Sequence, residues 1–191
     1  MKNQTVYLLP GRDDTFDDPP GNMIARMGYT ICGREILTDF ARLRFSEQIE
    51  LIKADLRVAF WHATSAVIAR SYGAYLLLHS LAEMEPFVGK ILLFSPVLGM
   101  ALARQGLYGS IPPRAQKLAQ LAQHKTFPSP QYMEIHTGAD DQGCDPLLAK
   151  RFCALIDNVR LYLVPGAGHT LEQSYVQSVL DRFLEPKSSR M

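Results

Sequence analysis

Short apolar runs alternate with segments of helical periodicity along the whole chain, and no internal repeat or low-complexity linker interrupts them. This alternation is typical of β-α-β units that build a parallel sheet. The predicted strands are the following six: Thr5 to Leu9, Tyr29 to Glu35, Val67 to Arg70, Lys90 to Phe94, Tyr132 to Thr137 and Val159 to Val164. We therefore expect an α/β fold with three αβα layers, in which helices cover both faces of a doubly wound, six-stranded parallel sheet.

Three segments outside these strands carry clear helical signals. The final segment has one apolar stripe, which we expect to pack on the sheet. The stripe consists of Leu171, Tyr175, Val176, Val179, Leu180, Phe183 and Leu184. Asp145 before Pro146 predicts the start of another helix, because aspartate accepts a hydrogen bond from a free amide and proline tolerates the first helical position. A short helix is also predicted over Arg114 to Gln123, within the long connection 96–130.

The size and charge of the chain narrow the class of protein. A length of 191 residues predicts one domain, 1–191, and the net charge is only +1. Lysine and arginine are scattered, so we expect no nucleic-acid partner. Apolar runs stay well below about 18 residues, and the first strand follows almost directly on Met1 and Lys2, so neither a membrane span nor a signal peptide is predicted. These features predict a cytoplasmic protein.

The three cysteines, Cys32, Cys144 and Cys153, are odd in number and have no C-x-x-C spacing. That pattern argues against a disulfide framework and against a zinc site. We expect reduced cysteines that pack as small apolar side chains. No metal and no other cofactor is predicted.

Ser71 is the candidate nucleophile, because it lies where the third predicted strand turns into an apolar, helix-like segment. A serine on such a sharp turn takes strained backbone angles, and the chain turns back at once only if the residues two positions before and after are small. Ala69 and Gly73 meet that requirement in the segment Ala69-Arg70-Ser71-Tyr72-Gly73.

A serine hydroxyl needs a base within hydrogen-bond reach and a third group that orients the base. Among the five histidines, His169 follows the glycine-rich turn Gly166-Ala167-Gly168, directly after the last predicted strand. Carboxyl ends of parallel strands form the ligand-binding edge of such a sheet, so this turn lies at the right edge. Asp140 and Asp141 follow the fifth strand, and either is a candidate for the orienting acid, whereas nearby Asp145 is the predicted helix cap.

Together these motifs resemble the α/β-hydrolase superfamily. The segment around Ser71 is similar to its nucleophile elbow, with alanine in place of the usual first glycine, and the glycine-rich turn before His169 is similar to its histidine loop. The Gly-x-x-Asp spacing that starts at Gly138 resembles the family's spacing for its catalytic acid, which favours Asp141 over Asp140. The chain order serine, aspartate, histidine is also that of the family. The resemblance covers nearly the whole chain and implies a compact serine hydrolase with Ser71, Asp141 and His169 as catalytic residues.

The resemblance also implies features of the sheet. A compact member of the family lacks the first two strands of the full fold, which leaves the strand order 2-1-3-4-5-6. Segment 96–130 follows the strand after which the family often inserts a lid, and a small lid over the substrate is one expectation for it. An ordinary, irregular crossover is the alternative, and long connections are often functional.

An oxyanion hole is implied in the same way. Its first donor is the backbone N–H after the nucleophile, at Tyr72, where a helix begins. The second follows the first strand, at Arg12, where the family often has His-Gly and this chain has Pro10-Gly11. Gly11 permits close approach of the substrate, and Asp13 in the same loop is a further candidate for substrate binding. The acidic residues of this loop are interpreted as a solvated surface, and no metal site is predicted there.

The predicted function is hydrolysis of an ester-like acyl bond in a small molecule, through a Ser-His-Asp triad and an acyl-enzyme intermediate. A carboxylesterase is the leading interpretation, while thioesterase, amidase and acyltransferase activities use the same residues. A non-catalytic binding module with the same fold is the alternative from another class. A nucleotide-binding protein is disfavoured, because no G-x-G-x-x-G or Walker-type loop follows the first strand. The acyl chain, the leaving group and the oligomeric state are left open.

Overall fold

Six parallel strands form one sheet in the part of the chain that the computed structural model describes, residues 4–100 and 111–185. The strands are β1 (Thr5–Leu9), β2 (Thr30–Gly33), β3 (Ala66–Arg70), β4 (Lys90–Phe94), β5 (Tyr132–Gly138) and β6 (Val159–Val164). Their order is β2-β1-β3-β4-β5-β6, and all neighbours are parallel. The expected fold class and strand order are confirmed.

Helices connect the strands and lie on both faces of the sheet. The described α-helices are α1 (Gly21–Arg26), α2 (Thr38–Arg42), α3 (Phe45–Asp55), α4 (Ser71–Leu81), α5 (Lys117–Gln123), α6 (Pro146–Ala154) and α7 (Gln173–Leu184), and a π-helical turn, Leu56–Phe60, continues α3. Helices α1 and α7 pack on one face, while α3, α4, α5 and α6 pack on the other. The result is the three-layer arrangement predicted from the alternating pattern.

Strand side chains alternate between the two cores. Along β1, Val6 and Leu8 pack with α1 and α7, whereas Tyr7 and Leu9 pack with α3 and α4. All four are almost fully buried. Because both faces are covered, the strands read as continuous apolar runs, which is why they were visible in the sequence.

The two helices predicted in the C-terminal part of the chain, α6 and α7, are present. Helix α7 buries Val176, Val179 and Leu180 against the sheet. Asp145 caps α6, since its Oδ1 atom accepts a hydrogen bond of 2.8 Å from the Leu147 amide. The loops at the carboxyl ends of β5 and β6 are therefore held between well-anchored elements.

The boundaries of β2, β3, β5 and α5 differ from the prediction, by one residue at the start of β3 and the end of β5 and by more in β2 and α5. Strand β2 ends at Gly33 and does not reach Glu35, because its pairing with β1 ends at Gly33 and the Glu35 side chain instead accepts a hydrogen bond from the Phe16 amide. Helix α5 begins at Lys117, because Arg114 has a φ of 60°, outside the helical region. In the segment 96–130, residues 101–110 lie outside the described residues, so the lid stays a prediction.

The cysteines are free, but they are not equally buried. Cys144 is buried and Cys153 is partly buried, as expected of packing residues. Cys32 is exposed, so the packing interpretation was wrong there. The reason is its position on β2, which lies at the edge of the sheet and has one strand neighbour. Among the described residues, no helix is long and apolar enough to cross a bilayer.

Candidate active site

Ser71 is the first residue of α4 and directly follows Arg70, the last residue of β3. Its φ is 50°, a left-handed conformation that costs energy for a residue with a side chain. Only 6% of Ser71 is exposed. The predicted sharp strand-to-helix turn is therefore present, with the serine held in a strained conformation at the carboxyl edge of the sheet.

The flanking small residues have a steric reason. A Cβ atom at Gly73 would lie 2.2 Å from the Pro10 carbonyl oxygen and 2.5 Å from that of Leu9, so β1 and its loop run directly over this position. Ala69 is fully buried, and the structure accommodates its methyl group where the usual motif has glycine. Only the second small position thus requires the absence of a side chain.

The imidazole of His169 contacts the candidate nucleophile. Its Nε2 atom lies 2.9 Å from Ser71 Oγ, although 98 residues separate the two in sequence. His169 follows β6, and 12% of its side chain is exposed. The glycine-rich turn therefore carries the imidazole back over the end of β3.

Asp141 lies on the other side of the imidazole. His169 Nδ1 is 2.9 Å from Asp141 Oδ1 and 3.1 Å from Oδ2. Asp140, the other candidate, is exposed, and its backbone amide bonds to the Ala167 carbonyl. The structure thus joins Asp141, and not its neighbour, to the histidine.

Four groups donate hydrogen bonds to the buried carboxylate of Asp141. Besides His169, the Thr137 hydroxyl donates to Oδ2 over 2.7 Å, and the amides of Gly143 and Cys144 each donate to Oδ1 over 2.8 Å. Burial alone raises the pKa of a carboxyl group, but the hydrogen bonds from His169, the Cys144 amide and Thr137 outweigh it and lower the pKa of Asp141. Asp141 is therefore ionised at neutral pH.

An ionised Asp141 fixes the tautomer of the histidine. A carboxylate only accepts hydrogen bonds, so Nδ1 of His169 must carry a proton and donate it. Nε2 of the neutral ring is then an acceptor, and the Ser71 hydroxyl donates to it. This is the protonation pattern in which an imidazole removes a proton from serine.

The loop after β1 lies against Ser71. Residues Gly11 to Asp14 form a turn in which the Asp14 amide donates to the Gly11 carbonyl over 3.3 Å, with Asp13 at a φ of 66°. A Cβ atom at Gly11 would lie 3.5 Å from Ser71 Cβ. The Arg12 guanidinium stacks 4.5 Å above the Tyr72 ring. Both residues predicted to supply oxyanion donors, Arg12 and Tyr72, therefore lie beside the candidate nucleophile, and their donor roles stay a prediction.

Two acidic side chains of this loop, those of Asp14 and Asp18, have partners of their own. Asp14 forms an ion pair with Arg70, the residue before Ser71. Asp18 accepts two hydrogen bonds from Thr15, at its amide and its hydroxyl, and both lower the pKa of Asp18. Asp13 and Asp17 are exposed. No group of three or more metal-ligating side chains occurs within residues 4–100 and 111–185.

The other histidines lie elsewhere. His62 and His124 are exposed. His79 is buried in the last turn of α4, where burial lowers its pKa to about 4. His136 is buried on β5 and contacts the carboxylate of Glu134.

Two clefts are lined by chain neighbours of Ser71, Arg70 in one and Tyr72 in the other, although Ser71 itself lines neither. One, of about 210 Å³, includes Arg70, Ser95 and His169 in its lining. The other, of about 290 Å³, includes Arg12, Asp13 and Tyr72. Gly11 is buried next to the serine, while Asp13 lines only the second cleft, so the two predicted substrate-binding residues occupy different surroundings.

Sequence reasoning missed several groups that hold these residues in place. The Thr137 hydroxyl and the Gly143 amide fix Asp141. Aspartate side chains often bond to the backbone amide two residues ahead, but this local tendency applies to Asp140 and Asp141 alike. The pair of Arg70 and Asp14 spans 56 positions and had no local signal.

Comparison with known proteins supports the fold. No family model and no curated protein matches the sequence. Among solved structures, the chain is similar to a predicted CIB-like hydrolase from Thermoplasma acidophilum, with 17% identity, a TM-score of 0.63 and coverage of 96% of this chain and 87% of the other. A monoacylglycerol lipase from Paleococcus ferrophilus has 10% identity, a TM-score of 0.64 and coverage of 94% and 93%.

A third similar structure is Thermogutta terrifontis esterase 2 phosphonylated by sarin. It has 16% identity and a TM-score of 0.63, and the alignment covers 95% of this chain and 83% of that one. At these identities the likeness concerns the fold. Together with the strand order and the strained serine turn, it shows that this protein has the α/β-hydrolase fold.

Proposed function

We propose that this protein is a serine hydrolase that cleaves a carboxylic ester by acyl transfer. The observation that carries the proposal is the hydrogen-bonded path from Ser71 Oγ through the two nitrogens of His169 to buried Asp141. One fold hosts many chemistries, so the site and not the fold supports the activity.

The first half of the reaction forms the acyl-enzyme. As Ser71 Oγ attacks the ester carbonyl carbon, His169 Nε2 takes the hydroxyl proton. The amides of Tyr72 and Arg12 stabilise the negative charge that develops on the carbonyl oxygen. Nε2 then gives its proton to the ester oxygen, the bond from the carbonyl carbon to that oxygen breaks, and the alcohol leaves.

The second half repeats these steps with water. His169 Nε2 takes a proton from a water molecule whose oxygen attacks the acyl carbon of the Ser71 ester. When the intermediate collapses, Nε2 returns the proton to Ser71 Oγ and the carboxylic acid is released. Asp141 keeps its negative charge throughout and stabilises the imidazolium that forms twice in the cycle.

Turnover of graded substrates tests this proposal. We expect p-nitrophenyl esters of two to eight acyl carbons to be hydrolysed by the wild-type protein, and Ser71→Ala to lose at least about 10³-fold in kcat because no nucleophile is left. Ser80→Ala is the matched control, since Ser80 lies buried in the same helix and bonds to the Leu76 carbonyl.

The same panel separates the related activities. Faster turnover of acyl-CoA thioesters or of anilides than of esters would replace the ester substrate by a thioester or an amide. Folded wild-type protein that turns over none of them would favour the non-catalytic binding module.

A further inference from the structure

Ser95 is a second strained serine beside Ser71. Arg70 of β3 pairs with Phe94 of β4, so Ser71 and Ser95 are the next residues on two neighbouring strands. Their φ angles are 50° and 43°, and both residues are buried. Neighbouring strands are about 4.8 Å apart, which places Ser95 next to the candidate nucleophile. Strained residues of this kind cluster at ligand-binding and active sites.

The hydroxyl of Ser95 has no hydrogen-bond partner in the described part of the chain. Three buried side-chain polar atoms share this property there: Ser65 Oγ, His79 Nε2 and Ser95 Oγ. Ser65 directly precedes β3, at the amino edge of the sheet, and His79 lies within α4. Ser95 alone among these three lines the cleft that also contains His169. A buried hydroxyl left unpaired is unfavourable, and a ligand oxygen in the cleft would relieve it.

The cleft has the size and lining of a small binding site. Its walls include the apolar residues Pro20, Phe94 and Leu171 and the polar residues Ser95 and Gln173. Its volume of about 210 Å³ is below the roughly 300–1,000 Å³ of pockets for drug-sized ligands. The occupant is therefore a short, largely apolar group with an oxygen near its middle or end.

The side of Ser71 on which the cleft lies indicates which part of the ester it takes. Arg12 follows β1 and Ser95 follows β4, and these strands flank β3 on opposite sides. The carbonyl oxygen faces the Arg12 side in the proposed reaction. The leaving oxygen must lie at His169 Nε2, which protonates it, and His169 lines the cleft of Ser95.

Resting on the proposed function, we propose that this cleft binds the leaving alcohol, and that Ser95 Oγ donates a hydrogen bond to a second oxygen of that alcohol. The favoured substrates are esters of short alkoxyalkyl or hydroxyalkyl alcohols. Ser95 is thus a specificity-determining residue for the leaving group.

Two isosteric esters test the proposal. 2-Methoxyethyl butanoate and n-butyl butanoate differ by an ether oxygen in place of one methylene group, and the acid released from each is measured by pH-stat. For each variant we take the ratio of kcat/KM for the two esters and compare it with the ratio for the wild type. The intrinsic difference in reactivity between the two esters is the same in every variant and cancels in this comparison. Ser95→Ala removes the hydroxyl, and Ser95→Gly removes it while also tolerating the positive φ. Ser65→Ala is the control, because it deletes the other buried, unpaired serine hydroxyl.

We expect the ratio of 2-methoxyethyl to butyl ester to fall about three- to tenfold in both Ser95 variants, the range of one hydrogen bond, and to stay constant in Ser65→Ala. An unchanged ratio in both Ser95 variants overturns the proposal. So does a change confined to an acyl-side pair, p-nitrophenyl 3-methoxypropanoate against p-nitrophenyl pentanoate. If the wild type cleaves no ester, the proposed function fails and this inference fails with it, whereas cleavage with an unchanged ratio removes this inference alone.

Discussion

Two carboxylates near Ser71, Asp141 after β5 and Asp14 after β1, are held in different ways. Asp141 is fully buried and accepts hydrogen bonds from four donors, of which three lie within four residues of it and the fourth is His169. Asp14 is 26% exposed at its side chain and pairs with Arg70 at the surface of the site. The β5 loop is thus rigidly organised around its acid, whereas the loop after β1 depends on one partly exposed ion pair.

This difference matches the tasks proposed for the two loops. A base must keep one orientation through both halves of the reaction, which requires a fixed partner. An oxyanion loop must admit a substrate before its amides bind the carbonyl oxygen, and exposed ion pairs contribute only about 0–1 kcal/mol to stability. We therefore expect substitution of Asp141 to lower kcat far more than substitution of Asp14.

The largest predicted effect is that of Asp141→Asn. The amide nitrogen of asparagine donates a hydrogen bond and cannot accept one from Nδ1–H of His169. It therefore favours the imidazole tautomer in which Nε2 carries the proton and cannot act as the base. We expect kcat to fall by about 10⁴-fold while KM changes little. Steady-state kinetics on a p-nitrophenyl ester measures it. Asp140→Asn is the matched control, with the same change in charge at an exposed neighbour, and should stay within about twofold. Equal losses in the two variants would remove the distinction between Asp140 and Asp141.

Asp14→Asn should have an intermediate effect. It breaks the pair with Arg70 and frees the turn that carries the Arg12 amide, so we expect about a tenfold lower kcat, well below the loss of about 10²–10³-fold for complete removal of an oxyanion donor. Asp17→Asn changes the same charge at an exposed position of the same loop. If Asp14→Asn and Asp17→Asn have the same kcat, the ion pair of Asp14 with Arg70 does not position the loop.

The smallest predicted effect concerns stability in acid. The pKa of Asp141 is lowered in the folded protein, so this carboxylate stabilises the fold above its unfolded pKa of about 3.9, and that contribution disappears as the pH falls through the lower folded value. The difference in free energy of unfolding between wild type and Asp141→Asn should be full at pH 7 and shrink below about pH 4. Urea titrations at pH 7, 5 and 3 measure it, and a constant difference would contradict the assigned hydrogen bonds.

Part of the candidate site could be predicted from the sequence, and part of it could not. The strand ends, the small residues around Ser71 and the glycine-rich turn before His169 are local signals, and they suffice to place all three catalytic candidates at one edge of a parallel sheet. The choice of Asp141 over Asp140 rested on resemblance, because its physical reason, burial beside Thr137, arises only from tertiary packing. The pair of Arg70 with Asp14 and the strained, unpaired Ser95 depend on contacts between distant segments and had no pattern to reveal them.

The most direct test of the account is the site of covalent labelling by a fluorophosphonate. The reagent phosphonylates a serine whose hydroxyl proton a neighbouring base removes, and intact-mass and peptide mass spectrometry locate the adduct. The account predicts one adduct on wild-type protein, at Ser71, that is absent in folded Ser71→Ala and present in Ser95→Ala. Folded wild-type protein that stays unlabelled, or an adduct that persists in Ser71→Ala, would contradict it.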